Sequence, residues 1–147
     1  MENIISRPKY LALIEQYLHK QTIIVLTGQR RVGKSCVLKE FAHAKQLDAQ
    51  ANIIYIDKER REFDELVSFT QLNTYIETHL EASKTNYILI DEVQDIERFE
   101  KSLRSFYQEP NCEIVITGSN AQMLSSELST LLGGRYHELY IQSLTYE

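Results

Sequence analysis

Gly28-Gln29-Arg30-Arg31-Val32-Gly33-Lys34-Ser35 fits the pattern G-x-x-x-x-G-K-[ST] at every fixed position. It lies between an apolar run, Ile23 to Thr27, and a helical stripe marked by Val37, Leu38 and Phe41. A strand, a glycine-bounded loop and a helix in that order form a phosphate-binding element, and each fixed residue has a physical reason. The glycines let the backbone turn tightly, so that successive N–H groups point inward at phosphate oxygens. The helix opening near Gly33 adds the positive end of its dipole. Lys34 reaches the β- and γ-phosphates of a nucleoside triphosphate, and the Ser35 hydroxyl ligates Mg²⁺. By average residue usage a chance match in a chain this long is on the order of one in a few hundred. The motif therefore outranks every other signal in the chain.

Outward from the loop, four short runs are β-branched-rich and continuously apolar: Ile23 to Thr27, Ile53 to Asp57, Tyr87 to Asp91, and Glu113 to Thr117. Strands buried on both faces of a parallel sheet read this way. A weaker fifth strand is expected around Leu139 to Ile141. Helical stripes alternate with the runs. Tyr10, Leu11, Ile14, Tyr17 and Leu18 form the first, with Ser6 and Pro8 as start signals. Leu66, Phe69, Leu72, Ile76 and Leu80 mark another, then Ile96, Phe99, Leu103 and Phe106, and last Leu124, Leu128 and Leu131. Alternation of strand and helix predicts an α/β fold with a parallel sheet and right-handed crossovers.

Two more segments bear on chemistry. Tyr87-Ile88-Leu89-Ile90 ends in Asp91-Glu92, which places Asp91 at the carboxyl edge of the sheet, where open α/β folds bind ligands. Asp91 is expected to hold Mg²⁺, usually through a water. Glu92 is expected to orient and polarise the water that attacks the γ-phosphate. Ile116-Thr117-Gly118-Ser119-Asn120 closes another apolar strand, with Asn120, then Ser119, the best candidates to reach the γ-phosphate or the attacking water. Either side chain also serves as a cap for the helix carrying Leu124 and Leu128. Gly133-Gly134-Arg135-Tyr136 reads as a helix stop followed by an arginine that is either functional or an ordinary surface charge.

The chain has 147 residues, a net charge of −5 and 43% hydrophobic residues. That suits one globular domain with a sizeable core and argues against a whole-surface electrostatic grip on nucleic acid. The two cysteines, Cys36 and Cys112, match no zinc, redox or disulfide pattern and read as reduced thiols in or near the core, with a regulatory thiol at Cys36 as the alternative. Cys36 directly follows the loop and joins Ser119 and the eight loop residues as an expected lining of the phosphate site. The start, Met1-Glu2-Asn3-Ile4-Ile5, lacks the character of a signal peptide, and the longest apolar runs are far too short for a membrane helix. A cytoplasmic protein without membrane contact is expected.

Together these residues resemble the AAA-type domain of P-loop ATPases, and more narrowly a prokaryotic ATPase family with a G-x-R-R-x-G-K-S loop. The distinctive stretches are Thr27 to Ser35, Ile90-Asp91-Glu92-Val93-Gln94, and Ile116 through Arg135. The resemblance covers residues 4–147 and implies a three-layer P-loop NTPase sandwich with a five-stranded parallel sheet of order 5-1-4-3-2. It implies that Asn120, or Ser119, is the first sensor of the γ-phosphate. Arg135 becomes the candidate arginine finger, acting on a neighbouring subunit of a homo-oligomer. Members of that family continue into a helical lid and often a further C-terminal domain. Residues 1–147 are accordingly expected to be the N-terminal ATPase portion of a longer protein.

The expected function is ATP binding and hydrolysis to ADP and phosphate, with nucleotide state passed to a C-terminal domain or a partner. The alternative is a nucleotide-gated binding switch with negligible turnover. A GTPase is disfavoured, because no N-K-x-D motif occurs and Asp91-Glu92-Val93-Gln94 lacks the glycine of a D-x-x-G switch. A small-molecule kinase is disfavoured by Glu92 and by the lack of an Arg-rich lid. Nothing in the sequence indicates nucleic acid as a partner of this part, and what the ATP drives is not encoded in these motifs.

Overall fold

Successive side chains of a strand point to opposite faces, and in this chain both faces of the central strands are apolar, so each needs a covering layer. The computed structural model describes residues 7–20, 22–28, 33–58, 60–119 and 136–141. Along the chain these form α1 (Arg7–Tyr17), β1 (Ile23–Thr27), α2 (Lys34–Gln46), β2 (Ala51–Asp57), α3 (Phe69–His79), β3 (Thr85–Asp91), α4 (Phe99–Phe106), β4 (Cys112–Gly118) and β5 (Tyr136–Tyr140). Short 3₁₀ turns occupy Arg61–Phe63 and Val93–Asp95. The strands form a single sheet in the order β2-β3-β4-β1-β5, and every pairing is parallel. This is the 5-1-4-3-2 order that the resemblance implies.

Odd and even strand positions divide the core in two. Ile23 and Val25, Ile54 and Ile56, Ile88 and Ile90, and Ile114 and Ile116 pack with Leu72 and Ile76 of α3 and Phe99, Leu103 and Phe106 of α4. On the other face Ile24, Leu26, Leu89 and Val115 pack with Tyr10 and Ile14 of α1 and Val37, Leu38 and Phe41 of α2. The result is the expected sandwich of helices, sheet and helices. An ion pair between Lys45 and Glu15 joins the two helices of the second layer.

The structure moves several expected boundaries. Leu66 and Leu80 lie outside α3. Extended backbone at Ser68 and at Leu80 ends the helix, and Gln71 Oε1 accepts the backbone N–H groups of Val67 and Ser68 at 2.9 and 3.0 Å. Ile96 lies before α4, in extended backbone, and Arg98 in a left-handed conformation starts the helix. β2 is an edge strand, so Ile53 and Tyr55 are half-buried rather than enclosed on both faces. β5 begins at Tyr136, three residues before the run Leu139 to Ile141 suggests, because pairing with β1 defines it rather than apolarity. The helix expected around Leu124 to Leu131 falls outside the described residues.

A parallel sheet brings all its carboxyl ends to one edge. Asp57 is in register with Asp91, Ile90 with Ile116, and Thr27 with Gly118. The loop after β1, the acids after β3 and the segment after β4 therefore meet at one level. β5 is tied to the base of the loop, since Thr27 Oγ1 donates to Glu138 Oε2 at 2.7 Å and the Ile141 N–H donates to the Thr27 carbonyl at 2.7 Å.

Leu72 is fully buried under the sheet, whereas Leu47 is 82% exposed. Leu72→Ala is expected to lower the unfolding free energy by about 2–5 kcal/mol through lost burial and a residual cavity. Leu47→Ala should stay within about 0.5 kcal/mol of the parent. Urea unfolding of both variants checks the assignment of α3 to the core.

Candidate active site

The loop begins and ends in backbone that glycine favours. Gly28 has φ 142° and Gly33 has φ 101°, and a Cβ at either position would meet a steric penalty. Gly33 hands directly to α2, where the Val37 N–H donates to its carbonyl at 2.9 Å. The first turn of α2 thus starts at Lys34 with its N–H groups facing the loop. Gln29, Arg30, Arg31 and Val32, expected to complete the cradle, lie outside the described residues, as do Asn120 and Arg135.

Lys34 is buried, only 3% exposed. Its Nζ donates to the Gly28 carbonyl at 2.9 Å and to Ser119 Oγ at 3.1 Å. An ammonium taken out of water needs hydrogen bonds and a negative charge to offset its desolvation. A carbonyl and a hydroxyl are among the groups that hold it in place, and a phosphate at this position would add negative charge.

One residue along, the Ser35 hydroxyl donates to Asp91 Oδ2 at 2.6 Å. Asp91 is 1% exposed, and its other oxygen, Oδ1, accepts from Thr117 Oγ1 at 2.5 Å. Burial pushes the Asp91 carboxyl above the usual carboxylate range, against the hydrogen bonds from Ser35 and Thr117, and the nearby Asp57 and Glu92 charges push it further up. A divalent cation would reverse that balance by favouring the ionised form. A serine hydroxyl joined to a carboxylate oxygen is a hard-oxygen pair of the kind Mg²⁺ takes alongside waters and substrate phosphates. Among the described residues no group of three or more His, Cys, Asp or Glu side chains could cage a metal by itself. The residues present fit Mg²⁺ held jointly with phosphate.

Glu92 is buried and has left-handed backbone, φ 59° and ψ 57°. For a non-glycine residue this costs about 1–2 kcal/mol. The conformation is held by the Glu92 N–H, which donates to Thr117 Oγ1 at 2.8 Å. It ends β3 abruptly and turns the glutamate away from the strand direction. The Glu92 carboxylate accepts from Gln94 Nε2 at 2.5 Å, and Ser119 Oγ lies 3.2 and 3.3 Å from its two oxygens. A continuous polar chain therefore runs from Lys34 through Ser119 to Glu92 and Gln94.

Of the residues expected from sequence, Gly28, Gly33, Lys34, Ser35, Asp91, Glu92 and Ser119 converge here. Cys36 is exposed rather than in the core. The α2 positions that face the sheet are Lys34, Val37, Leu38 and Phe41, and Cys36 falls between them on the outward side. Cys112 is buried as the first residue of β4, and burial, with the carboxylates of Glu109 and Glu113, pushes its thiol up to about 11. Sequence reasoning gave no role to Thr117, whose single hydroxyl serves both acids, or to Asp57 and Gln94. A polar residue closing an apolar strand at the level of Asp91 was the available signal for Thr117.

Comparison with known proteins bears on the family and the fold. A family model described as an AAA domain matches residues 20–147. An uncharacterized protein of Haemophilus influenzae is 37% identical over 98% of this chain, which corresponds to 37% of the relative. An uncharacterized protein of Methanocaldococcus jannaschii is 29% identical over 91% of this chain and 29% of its own length. The chain thus spans 37% or less of the length of these curated relatives. Among solved structures, Cdc6p from Pyrobaculum aerophilum superposes with a TM-score of 0.65 at 15% identity, covering 94% of this chain and 46% of that one. AMPPCP-bound DnaA from Aquifex aeolicus gives 0.62 at 19% identity, covering 95% and 48%. At such identities the structural likeness speaks to the fold.

Thr117→Val keeps the side-chain shape but removes the hydroxyl shared by Asp91 and the Glu92 N–H. It is expected to cost about 1–3 kcal/mol, because two buried polar groups lose their partner, while Thr117→Ser should remain close to the parent. Denaturant unfolding of both is the check, and a parental midpoint for the valine variant would show that the hydroxyl is not what holds the two acids.

Proposed function

The chain belongs to the AAA domain family, and from that premise we propose that this ATPase-type nucleotide-binding domain binds ATP with Mg²⁺ and hydrolyses it to ADP and phosphate. The observation that carries this reading is the 2.6 Å bond joining Ser35 of the loop to Asp91 of β3, beside the buried Lys34 and Glu92. This proximity supports reading Lys34 as the cation that meets the phosphates, Ser35 with Asp91 as the metal-holding pair and Glu92 as the water-activating carboxylate.

In this mechanism the residues from Gly28 to Ser35 cradle the phosphates, with Cys36 at the end of that lining. Lys34 draws negative charge from the β- and γ-phosphates. Ser35 and Asp91 would hold Mg²⁺, which would supply Lewis-acid chemistry at the phosphates. Glu92 accepts a proton from the attacking water. Asn120, or Ser119, which is bonded between Lys34 and Glu92, senses the γ-phosphate. Arg135 is assigned to the transition state of a neighbouring subunit, a role that requires a homo-oligomer. Nucleotide state passes to a lid and C-terminal domain of a longer protein, a reading supported by the 37% share of the Haemophilus influenzae relative that the chain spans. No helix of the described residues is long and apolar enough to cross a membrane. A cytoplasmic location, without direct nucleic-acid contact by this part, completes the proposal.

Glu92→Gln separates binding from chemistry. ATP affinity should stay near the parental value, while phosphate release falls by about 10²–10⁴, the usual contribution of a positioned base. Parental turnover in the variant would remove Glu92 from the mechanism. Parental protein that binds ATP without measurable phosphate release would instead support the nucleotide-gated switch.

A further inference from the structure

Gln94 has no part in the mechanism above, yet it makes a 2.5 Å contact with the proposed base. It sits on the 3₁₀ turn Val93–Asp95, and its Nε2 donates to Glu92 Oε1. A hydrogen bond to a charged acceptor is of the stronger kind. The other half of the amide, Oε1, is buried with no donor among the described residues. The bond to Glu92 sets which way the amide points, since a half-turn would set its carbonyl oxygen against the carboxylate. The bond and the buried Oε1 together set Gln94 apart from a packing residue. A methionine would fill the same volume without burying an unpaired amide oxygen, which is unfavourable. What glutamine adds at this position is the bond to Glu92.

That bond opposes a second one. Ser119 Oγ lies 3.2 and 3.3 Å from the Glu92 oxygens and is itself bonded to Lys34 Nζ at 3.1 Å. Left with Ser119 alone, the Glu92 carboxylate would follow Lys34 whenever that ammonium turned to a phosphate. Gln94 approaches from a different element, the turn after β3, and is two residues from Glu92 along the chain. We propose that Gln94 is a positioning residue for the water-activating carboxylate. Its Nε2 occupies one lone pair of Glu92 Oε1 and keeps the carboxylate in place while Ser119 and Lys34 engage phosphate. The inference rests on the reading of Glu92 as the base in ATP hydrolysis.

The first test needs no nucleotide. In ¹⁵N-labelled protein, a side-chain Nε2 proton of Gln94 should resonate downfield of ordinary glutamine amides and return to their range in Glu92→Ala. The second test is kinetic and uses Gln94→Met, which keeps volume, and Gln94→Glu, which replaces a donor with a like charge. Both should retain ATP affinity within about threefold and lose about 10–100-fold in kcat, the scale of a misplaced reacting group. The double variant Glu92→Gln/Gln94→Met should be no slower than Glu92→Gln alone, because residues acting through one group are not additive. The proposal is overturned if Gln94→Met turns over at or above the parental rate while Glu92→Gln is inactive. It is also overturned if the two losses multiply, or if the Gln94 amide resonance ignores Glu92→Ala. Parental turnover in Glu92→Gln would overturn the reading of the base itself and this inference with it.

Discussion

A lysine ammonium only 3% exposed at the carboxyl edge of a parallel sheet is the constraint to which the surrounding structure answers. Such a charge is tolerated where hydrogen-bond acceptors and opposite charge offset its desolvation. The carbonyl of Gly28, a residue with φ 142°, accepts from it, and Ser119 faces it because β4 runs parallel to β1 and ends at the same level. α2 begins at Lys34 itself, so the same residue carries the side-chain cation and opens the helix whose dipole favours an anion.

The acids beside it present the opposite problem. Asp91 and Glu92 are adjacent, buried and of like charge, with Asp57 in register on the neighbouring strand. Their arrangement relies on hydroxyls. Thr117 donates to one acid and accepts the backbone N–H of the other, and Ser35 donates to Asp91 from across the sheet edge. With left-handed backbone at Glu92, the two carboxylates have different partners, Ser35 for Asp91 and Ser119 and Gln94 for Glu92. The sheet's apolar interior, isoleucine-rich on one face and covered by α1 and α2 on the other, supplies the rigidity that keeps these groups in place.

Most of this was legible in the sequence because it depends on local patterns. Continuous apolar runs marked β1, β3 and β4, and the loop motif located Lys34 and Ser35 without any tertiary information. The residues that escaped depend on pairing between distant segments. Thr117 and Asp91 lie 26 residues apart and meet only through the β3–β4 register. The polar start of β5 was hidden because Tyr136-His137-Glu138 takes its place from β1 and not from its own composition. Leu66, Leu80 and Ile96 fit helical stripes yet pack from outside the helices, since a buried or partly buried residue next to a helix end satisfies the same periodicity. The exposure of Cys36 was likewise a matter of which face of α2 meets the sheet.

Calorimetric titration of ATP and Mg²⁺ into the parental protein and into Lys34→Ala tests the central claim most directly. The account predicts saturable binding by the parent and no detectable binding by the variant, with the variant's fold confirmed by circular dichroism. A folded Lys34→Ala protein with unchanged affinity would contradict it, because the buried ammonium would then not be the group that receives the phosphates.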